Sequence, residues 1–213
     1  MKHCPRLGLP AQSLPMSHSR PLPLLVFAGS TRTQSLNRRL AHVVADLAEA
    51  AGAQVTRLEL ADHELPLYNA DLEARGTPEA AIRLKEIFHA HPAWIVCSPE
   101  YNGSYTGLLK NTIDWVSSPA KAHPEWTSGT KPFAGKVVGL LSASPGALGG
   151  LNSLSHLAPL LRRLQCWVAP NQFAVAKAND AFDAEGRLVS DATRQSVQAV
   201  VDQVLWAGRR LGA

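Results

Sequence analysis

The chain has 213 residues, enough for one α/β domain with a full core and too few for two typical domains joined by a linker. Hydrophobic residues make up 46% and charged residues 18%, which is the composition of a globular protein, and no apolar run approaches the ~20 residues that a membrane span needs. The net charge of +4 is local, because six of the 21 basic residues precede the first acidic residue, Asp46, and this pattern favours a small anion over a nucleic acid as partner.

The first residues and the cysteines narrow the class of protein further. Residues 1–22 contain four prolines, which interrupt any signal-peptide core, so we expect a disordered extension ahead of a single domain over residues 23–213. Cys4, Cys97 and Cys166 show no Cys-x-x-Cys spacing, and the eight histidines show no metal-ligand spacing. We therefore expect neither a metal site nor a disulfide framework, and a reducing cytoplasm as the compartment.

Strand-like apolar runs alternate along the chain with segments of helical period. Residues 65–76 are expected to form a loop, and Pro159 is expected to split the helix that contains it, because a proline inside a helix costs about 3 kcal/mol or forces a kink. The predicted strands cover 24–28, 54–60, 93–97, 136–143 and 166–175, and the predicted helices cover 36–51, a segment opening at 77–78, about 108–116, a leucine-rich segment over 154–164, and 191–208.

Short continuous apolar strands that alternate with helices predict a parallel sheet covered by helices on both faces. Five such units fit a flavodoxin-like three-layer α/β sandwich, with a five-stranded parallel sheet in the order 2-1-3-4-5, better than a six-stranded dinucleotide-binding fold.

Three polar loops that contain glycine follow the first, third and fourth strands, over residues 29–37, 98–106 and 142–150. These strands are neighbours in the predicted order, and ligands of open parallel sheets bind beyond the carboxyl ends of the strands. We therefore expect the three loops to form one site.

The first loop, which we call loop 1 (residues 29–37), suits a phosphate group. It joins a strand to a helix, so the free amides of the helix N-terminus face it, and hydroxyls and one arginine surround the same point. It matches neither a Walker loop nor a Gly-x-Gly-x-x-Gly loop. A terminal phosphate monoester, and hence FMN rather than FAD or NAD, is favoured; the alternative is an N-capped helix with a solvated loop. Arg38 and Arg39 are expected to be solvated and to add long-range attraction only.

The second loop, loop 2 (residues 98–106), suits a planar ring. Pro99 ends the strand, and Asn102-Gly103 permits a tight turn with positive φ, which frees backbone amides for ring heteroatoms. Tyr101 is expected either to pack beside the ring or to be a surface aromatic.

The stretches "AGSTRTQSLNRRLA", "SPEYNGSYTGLLKNTIDWVS" and "SASPGALGG" together resemble the NADPH-dependent FMN reductase family of flavodoxin-like proteins, and within it the chromate and quinone reductases. The third stretch contains loop 3 (residues 142–150), which in that family lies beside the flavin. The resemblance implies no catalytic side chain, since FMN carries the chemistry, and no metal. It implies a cofactor-binding set of Ser30, Arg32, Ser35, Asn37, Pro99, Glu100, Tyr101, Asn102, Gly103, Ser142, Ser144 and Gly146.

The same resemblance implies an activity. Hydride would pass from NADPH or NADH through bound FMN to quinones, azo compounds, chromate or free flavin by a ping-pong scheme, in a homodimer or homotetramer. It also implies that the insert over residues 119–135 borders the substrate opening, where Trp126 would either cover the flavin or cap the insert.

Two other functions fit the same fold. One is a flavodoxin-type electron carrier, although such carriers are typically acidic. The other is a regulatory protein that has lost the cofactor.

Overall fold

Five parallel strands form the central sheet of the computed structural model, which describes residues 20–211. Their order, β2-β1-β3-β4-β5, confirms the predicted order. Every residue of β3 and β4 is buried, because helices cover both faces of a sheet of this kind. The strands are β1 (Pro23–Ala28), β2 (Gln54–Leu58), β3 (Ala93–Cys97), β4 (Val137–Ala143) and β5 (Trp167–Val175).

The helices form the two outer layers of the sandwich. One apolar cluster joins the sheet to α1 and α6, and a second cluster joins its opposite face to α3, α4 and α5, which confirms the three-layer architecture. The helices are α1 (Leu36–Ala50), α2 (Ala70–Arg75), α3 (Glu79–Ala90), α4 (Gly107–Ser117), α5 (Leu151–Arg163) and α6 (Asp191–Leu211), with short 3₁₀ turns at Leu60–Asp62 and Ala178–Asp180.

Two local predictions were wrong. The stretch predicted as a loop over residues 65–76 contains α2, whose N-cap Asn69 accepts hydrogen bonds from the amides of Asp71 and Leu72. No residue of α2 is buried, so the sequence of this helix lacks the apolar periodicity from which a helix is predicted. Helix α5 is continuous through Pro159. Pro159 has no amide hydrogen to donate to the carbonyl of Ser155. Both residues lie on the exposed face of α5, where water can donate to that carbonyl instead.

The start of the domain precedes β1. Leu22 is 7% exposed, and its carbonyl accepts a hydrogen bond from the amide of Gln54 at 2.9 Å. Residues 1–19 of the predicted extension lie outside the described residues.

The insert over residues 119–135 lies at the amino ends of the strands. Helix α4 runs antiparallel to the sheet, so the connection from α4 to β4 must return to that end, and the Gly135 amide there donates to the carbonyl of Gln165. The expectation that the insert borders the substrate opening was therefore wrong. Trp126 is 4% exposed and packs against the rings of His89 and His123, so it caps the insert.

A buried lysine joins α3 to the end of α4. Lys85 is 1% exposed, and its Nζ donates to the carbonyls of Trp115 and Val116, each at 2.8 Å, and of Ser118. These carbonyls have no partner within α4, so the ammonium caps the helix. Burial lowers the pKa of Lys85 from 10.5 to about 8, and the Glu73 carboxylate opposes only part of that shift.

We expect the stability contributed by Lys85 to rise with pH. Above about pH 8 the folded protein has lost the Lys85 proton, whereas the unfolded chain keeps it up to about pH 10.5, so the unfolded state binds more protons in this window. Relative to Lys85→Met, the wild type should gain about 2 kcal/mol in free energy of unfolding between pH 8 and pH 10. Urea denaturation of both proteins at pH 8 and pH 10 measures their free energies of unfolding. A gap between wild type and variant that is the same at the two pH values would contradict the prediction.

Candidate functional site

Loops 1, 2 and 3 meet at the carboxyl ends of β1, β3 and β4 and enclose a cavity of about 260 Å³. The predicted convergence of the three loops is confirmed. Of the predicted site residues, those on the cavity wall are Ser30, Arg32, Ser35, Asn37, Pro99, Glu100, Tyr101 and Ser144. Asn102, Gly103, Ser142 and Gly146 do not line it.

Two serine hydroxyls of loop 1 line the cavity while almost completely buried. Ser35 is the N-cap of α1, and its Oγ accepts from the Arg38 amide at 3.4 Å. The Ser30 Oγ accepts from the amide of Arg32 at 3.3 Å. Each hydroxyl keeps its own proton to donate. Together with the first amides of α1, which have no partner within the helix, they make loop 1 a set of donors.

The two arginines at the start of α1 have different surroundings. The Arg38 Nε lies 3.0 Å from a carboxylate oxygen of Glu59, outside the cavity. Arg39 lines the cavity, and its Nη2 donates to the Gln34 Oε1 at 2.7 Å. Both residues are half-buried, so the expectation that they are simply solvated holds for neither.

Asn37 joins loop 1 to the end of β4. Its Nδ2 donates to the Ala143 carbonyl at 2.8 Å, and its Oδ1 accepts from the Ala143 amide at 2.9 Å. Asn37 is 3% exposed. The carboxamide is thus already engaged with backbone, and its role in the site is to hold loops 1 and 3 together.

The turn in loop 2 has the predicted geometry. Asn102 and Gly103 have φ of 51° and 76°, which confirms the positive φ values, and the backbones of Tyr101 and Ser104 exchange two hydrogen bonds across them. Asn102 and Gly103 therefore shape the loop, and Tyr101 remains 52% exposed at the rim of the cavity.

Side chains at either end of loop 2 fix its position. The Glu100 carboxylate accepts from the backbone amide and from the Nδ2 of Asn152, at 3.0 and 3.1 Å, so it caps the N-terminus of α5. Thr106 caps α4 and donates from its Oγ1 to the carbonyl of Gly29 at 2.8 Å. Loop 2 is thereby tied to α5 and to loop 1.

Loop 3 contributes Ser144 to the cavity and packs closely behind it. The Ser142 Oγ is fully buried without a hydrogen-bond partner, directly against Gly150, where a Cβ would come within 2.0 Å of it. The Gly146 amide donates to the Ser144 Oγ at 3.3 Å, so Gly146 supports the serine.

Residues beyond the predicted set also line the cavity, among them Gln34, Arg39 and Asn179. Asn179 comes from the 3₁₀ turn after β5 and could be anticipated only from the position of β5 beside β4. No motif distinguishes Arg39 from Arg38.

Most of the domain matches one family of proteins. A family model described as NADPH-dependent FMN reductase matches residues 22–180. The chain belongs to the NADPH-dependent FMN reductase family. The resemblance carried by the three loop motifs is confirmed, and with it FMN as cofactor and NAD(P)H as cosubstrate.

Individual relatives agree with this assignment. An NAD(P)H-dependent FMN reductase of Pseudomonas aeruginosa is 37% identical over 89% of this chain and 97% of its own length. A quinone reductase of Pseudomonas putida is 36% identical over 84% of this chain and 90% of its own length. The solved structure of FerB, a flavoenzyme NAD(P)H:(acceptor) oxidoreductase from Paracoccus denitrificans, is 30% identical with a TM-score of 0.73, over 89% of this chain and 98% of that one. This member of the reductase family is therefore an oxidoreductase.

The donor set of the reductase fits the phosphate end of FMN. Ser30, Ser35 and Arg32 present hydroxyl and guanidinium donors at one helix N-terminus. Among residues 20–211, the one carboxylate on the wall is that of Glu100, and it is already bonded to Asn152. Within residues 20–211, no helix combines the length and the apolar character that crossing a membrane requires.

We expect Asn37→Ala to loosen the reductase fold at this site. The substitution leaves the buried amide and carbonyl of Ala143 without partners, at a cost of about 3 kcal/mol. The melting temperature of the apoprotein should fall by about 6–12 °C. Thr33→Ala, an exposed change in the same loop, is the control and should leave it nearly unchanged. Equal melting temperatures for all three proteins would contradict the prediction.

Proposed function

We propose that the protein transfers hydride from NAD(P)H, through FMN bound at the cavity, to quinones by a ping-pong scheme. The observation that carries the proposal is the set of donors in loop 1, where two buried hydroxyls and a guanidinium surround one cavity at the N-terminus of α1. A terminal phosphate monoester fits such a set.

The phosphate contacts are assigned to Ser30, Arg32 and Ser35. Asn37 is not assigned a contact with the phosphate, because its carboxamide is bonded to Ala143 and holds loop 3 against loop 1. This assignment changes the role expected for Asn37 from a direct contact to a positioning residue.

The isoalloxazine ring is assigned to loops 2 and 3, beside Pro99, Tyr101 and Ser144. Glu100, Asn102, Gly103 and Gly146 set the course of these loops through the helix cap, the tight turn and the bond to Ser144. FMN, when bound, supplies the hydride-accepting and hydride-donating chemistry. The protein positions the reactants, and no acid–base triad is required.

The exposed rim favours a planar apolar acceptor. Tyr101, Leu148 and Leu151 are 52%, 61% and 48% exposed. They lie in loops 2 and 3 and at the start of α5, which the bond between Glu100 and Asn152 brings together. Quinones match this rim best, azo compounds and free flavin share its planarity, and chromate, a small dianion, matches it least. NAD(P)H and the acceptor would bind in turn at this open side.

Assembly into a homodimer or homotetramer and a cytoplasmic location stay predictions. They rest on the family resemblance and on the cysteine pattern. Cys97 and Cys166 are buried free thiols whose pKa values are raised by burial, as in core residues.

We expect the purified protein to take up FMN and to oxidise NAD(P)H when a quinone is added. Double-reciprocal plots of initial rate against NAD(P)H concentration, measured at several fixed quinone concentrations, should be parallel, as a ping-pong scheme requires. The rates of NAD(P)H oxidation with a quinone, an azo dye, free FMN and chromate rank these compounds as acceptors. FMN uptake without NAD(P)H oxidation would favour the electron carrier, and no FMN uptake would favour the regulatory protein.

Arg32→Ala should weaken FMN binding much more than it weakens the fold. The arginine is exposed, so the free energy of unfolding of the apoprotein should change by less than about 0.5 kcal/mol. Loss of a charge-assisted bond to phosphate should raise the Kd for FMN about 10- to 100-fold, measured by flavin fluorescence. Arg75→Ala, which removes an exposed arginine outside the cavity, is the control. Equal losses of binding and stability would instead support a merely structural loop.

A further inference from the structure

We infer that Arg39, held by Gln34, is a second phosphate-binding guanidinium and that the cavity is built for a phosphate dianion. The inference rests on the proposed placement of the FMN phosphate at loop 1, and it adds a residue that the family motif does not include.

The two adjacent arginines of α1 differ in how their charges are balanced. Arg38 has its charge balanced by Glu59, at 3.0 Å. The charge of Arg39 has no such balance, because its Nη2 donates a hydrogen bond to the neutral carboxamide of Gln34. Among the described residues, neither Arg32 nor Arg39 forms an ion pair with a carboxylate.

The position of Arg39 in the helix is unfavourable for a cation. Arg38 and Arg39 fall in the first turn of α1, which contains no acidic residue. The positive end of the helix dipole disfavours cations there and favours anions. Arg39 therefore opposes the stability of α1 in the apoprotein, and a bound anion is the group that would reverse this effect.

The charge of the FMN phosphate matches that of the two arginines. A phosphate monoester has its second pKa near 6, so at neutral pH it carries nearly two negative charges. Arg32 and Arg39 supply two unbalanced positive charges on the wall of the same cavity. Two guanidiniums and one dianion balance, and the forked donors of arginine match phosphate oxygens.

Gln34 accounts for the orientation of Arg39. A long arginine side chain at the surface loses conformational entropy when it is ordered. The bond of 2.7 Å to Gln34 orders it in advance, and a neutral acceptor does so without cancelling its charge. A carboxylate at position 34 would order Arg39 equally well and would cancel the charge, which makes Gln34→Glu an informative substitution.

The test compares FMN with riboflavin, which has the same ring and no phosphate, by fluorescence titration of apoproteins at low salt. Arg39→Gln should raise the Kd for FMN about 10-fold or more and leave the Kd for riboflavin within twofold. Gln34→Glu should act in the same direction. Arg75→Gln removes the same charge from an exposed position outside the cavity and should change both Kd values less than about threefold.

A second readout separates binding from structure. Because Arg39 opposes the helix dipole, the melting temperature of apo Arg39→Gln should equal or exceed that of the wild type, whereas a structural arginine would lower it. Wild-type FMN affinity in Arg39→Gln, or a parallel loss of FMN and riboflavin affinity, would overturn the role of Arg39 alone. A wild type that binds riboflavin as tightly as FMN would overturn both this inference and the proposed phosphate site.

Discussion

The pair of hydrogen bonds between the Asn37 carboxamide and the backbone of Ala143 is the contact on which the site depends. It joins the first turn of α1 to the end of β4, 106 residues away in the chain. Among the described residues no other hydrogen bond joins loop 1 directly to loop 3, and the ends of β1 and β4 are separated in the sheet by β3. With the pair of bonds from Asn37, the hydroxyls of loop 1 are held at a set distance from the serine of loop 3, and a cavity exists between them.

The remaining contacts extend the same arrangement to loop 2. Thr106 connects α4 to the carbonyl of Gly29, and Glu100 connects loop 2 to the start of α5. Each of these two side chains satisfies a helix terminus and ties loop 2 to a neighbouring segment. The site is therefore pre-formed by Asn37 and by the side-chain caps of α4 and α5. The side chains that are not used in this way, such as Arg32 and Arg39, are the ones left free to bind a ligand.

Much of this could be predicted from the sequence, because the features concerned are local. Apolar periodicity located the strands and long helices, and the parallel order brought three loops to one end of the sheet. Asn102-Gly103 signals its turn through its own backbone preferences. The position of the insert was mistaken although the direction of α4 determines it. Side-chain partners could not be predicted: the difference between Arg38 and Arg39 depends on where Glu59 and Gln34 lie, and the bond of Asn37 depends on a strand more than 100 residues away.

A crystal structure of the protein with FMN would show where the phosphate binds. We expect the phosphate to lie at the N-terminus of α1, within hydrogen-bond distance of Ser30, Ser35 and Arg32, while Asn37 keeps both bonds to Ala143. A flavin bound with its phosphate away from loop 1, or an Asn37 side chain that leaves Ala143 to contact the phosphate, would contradict it.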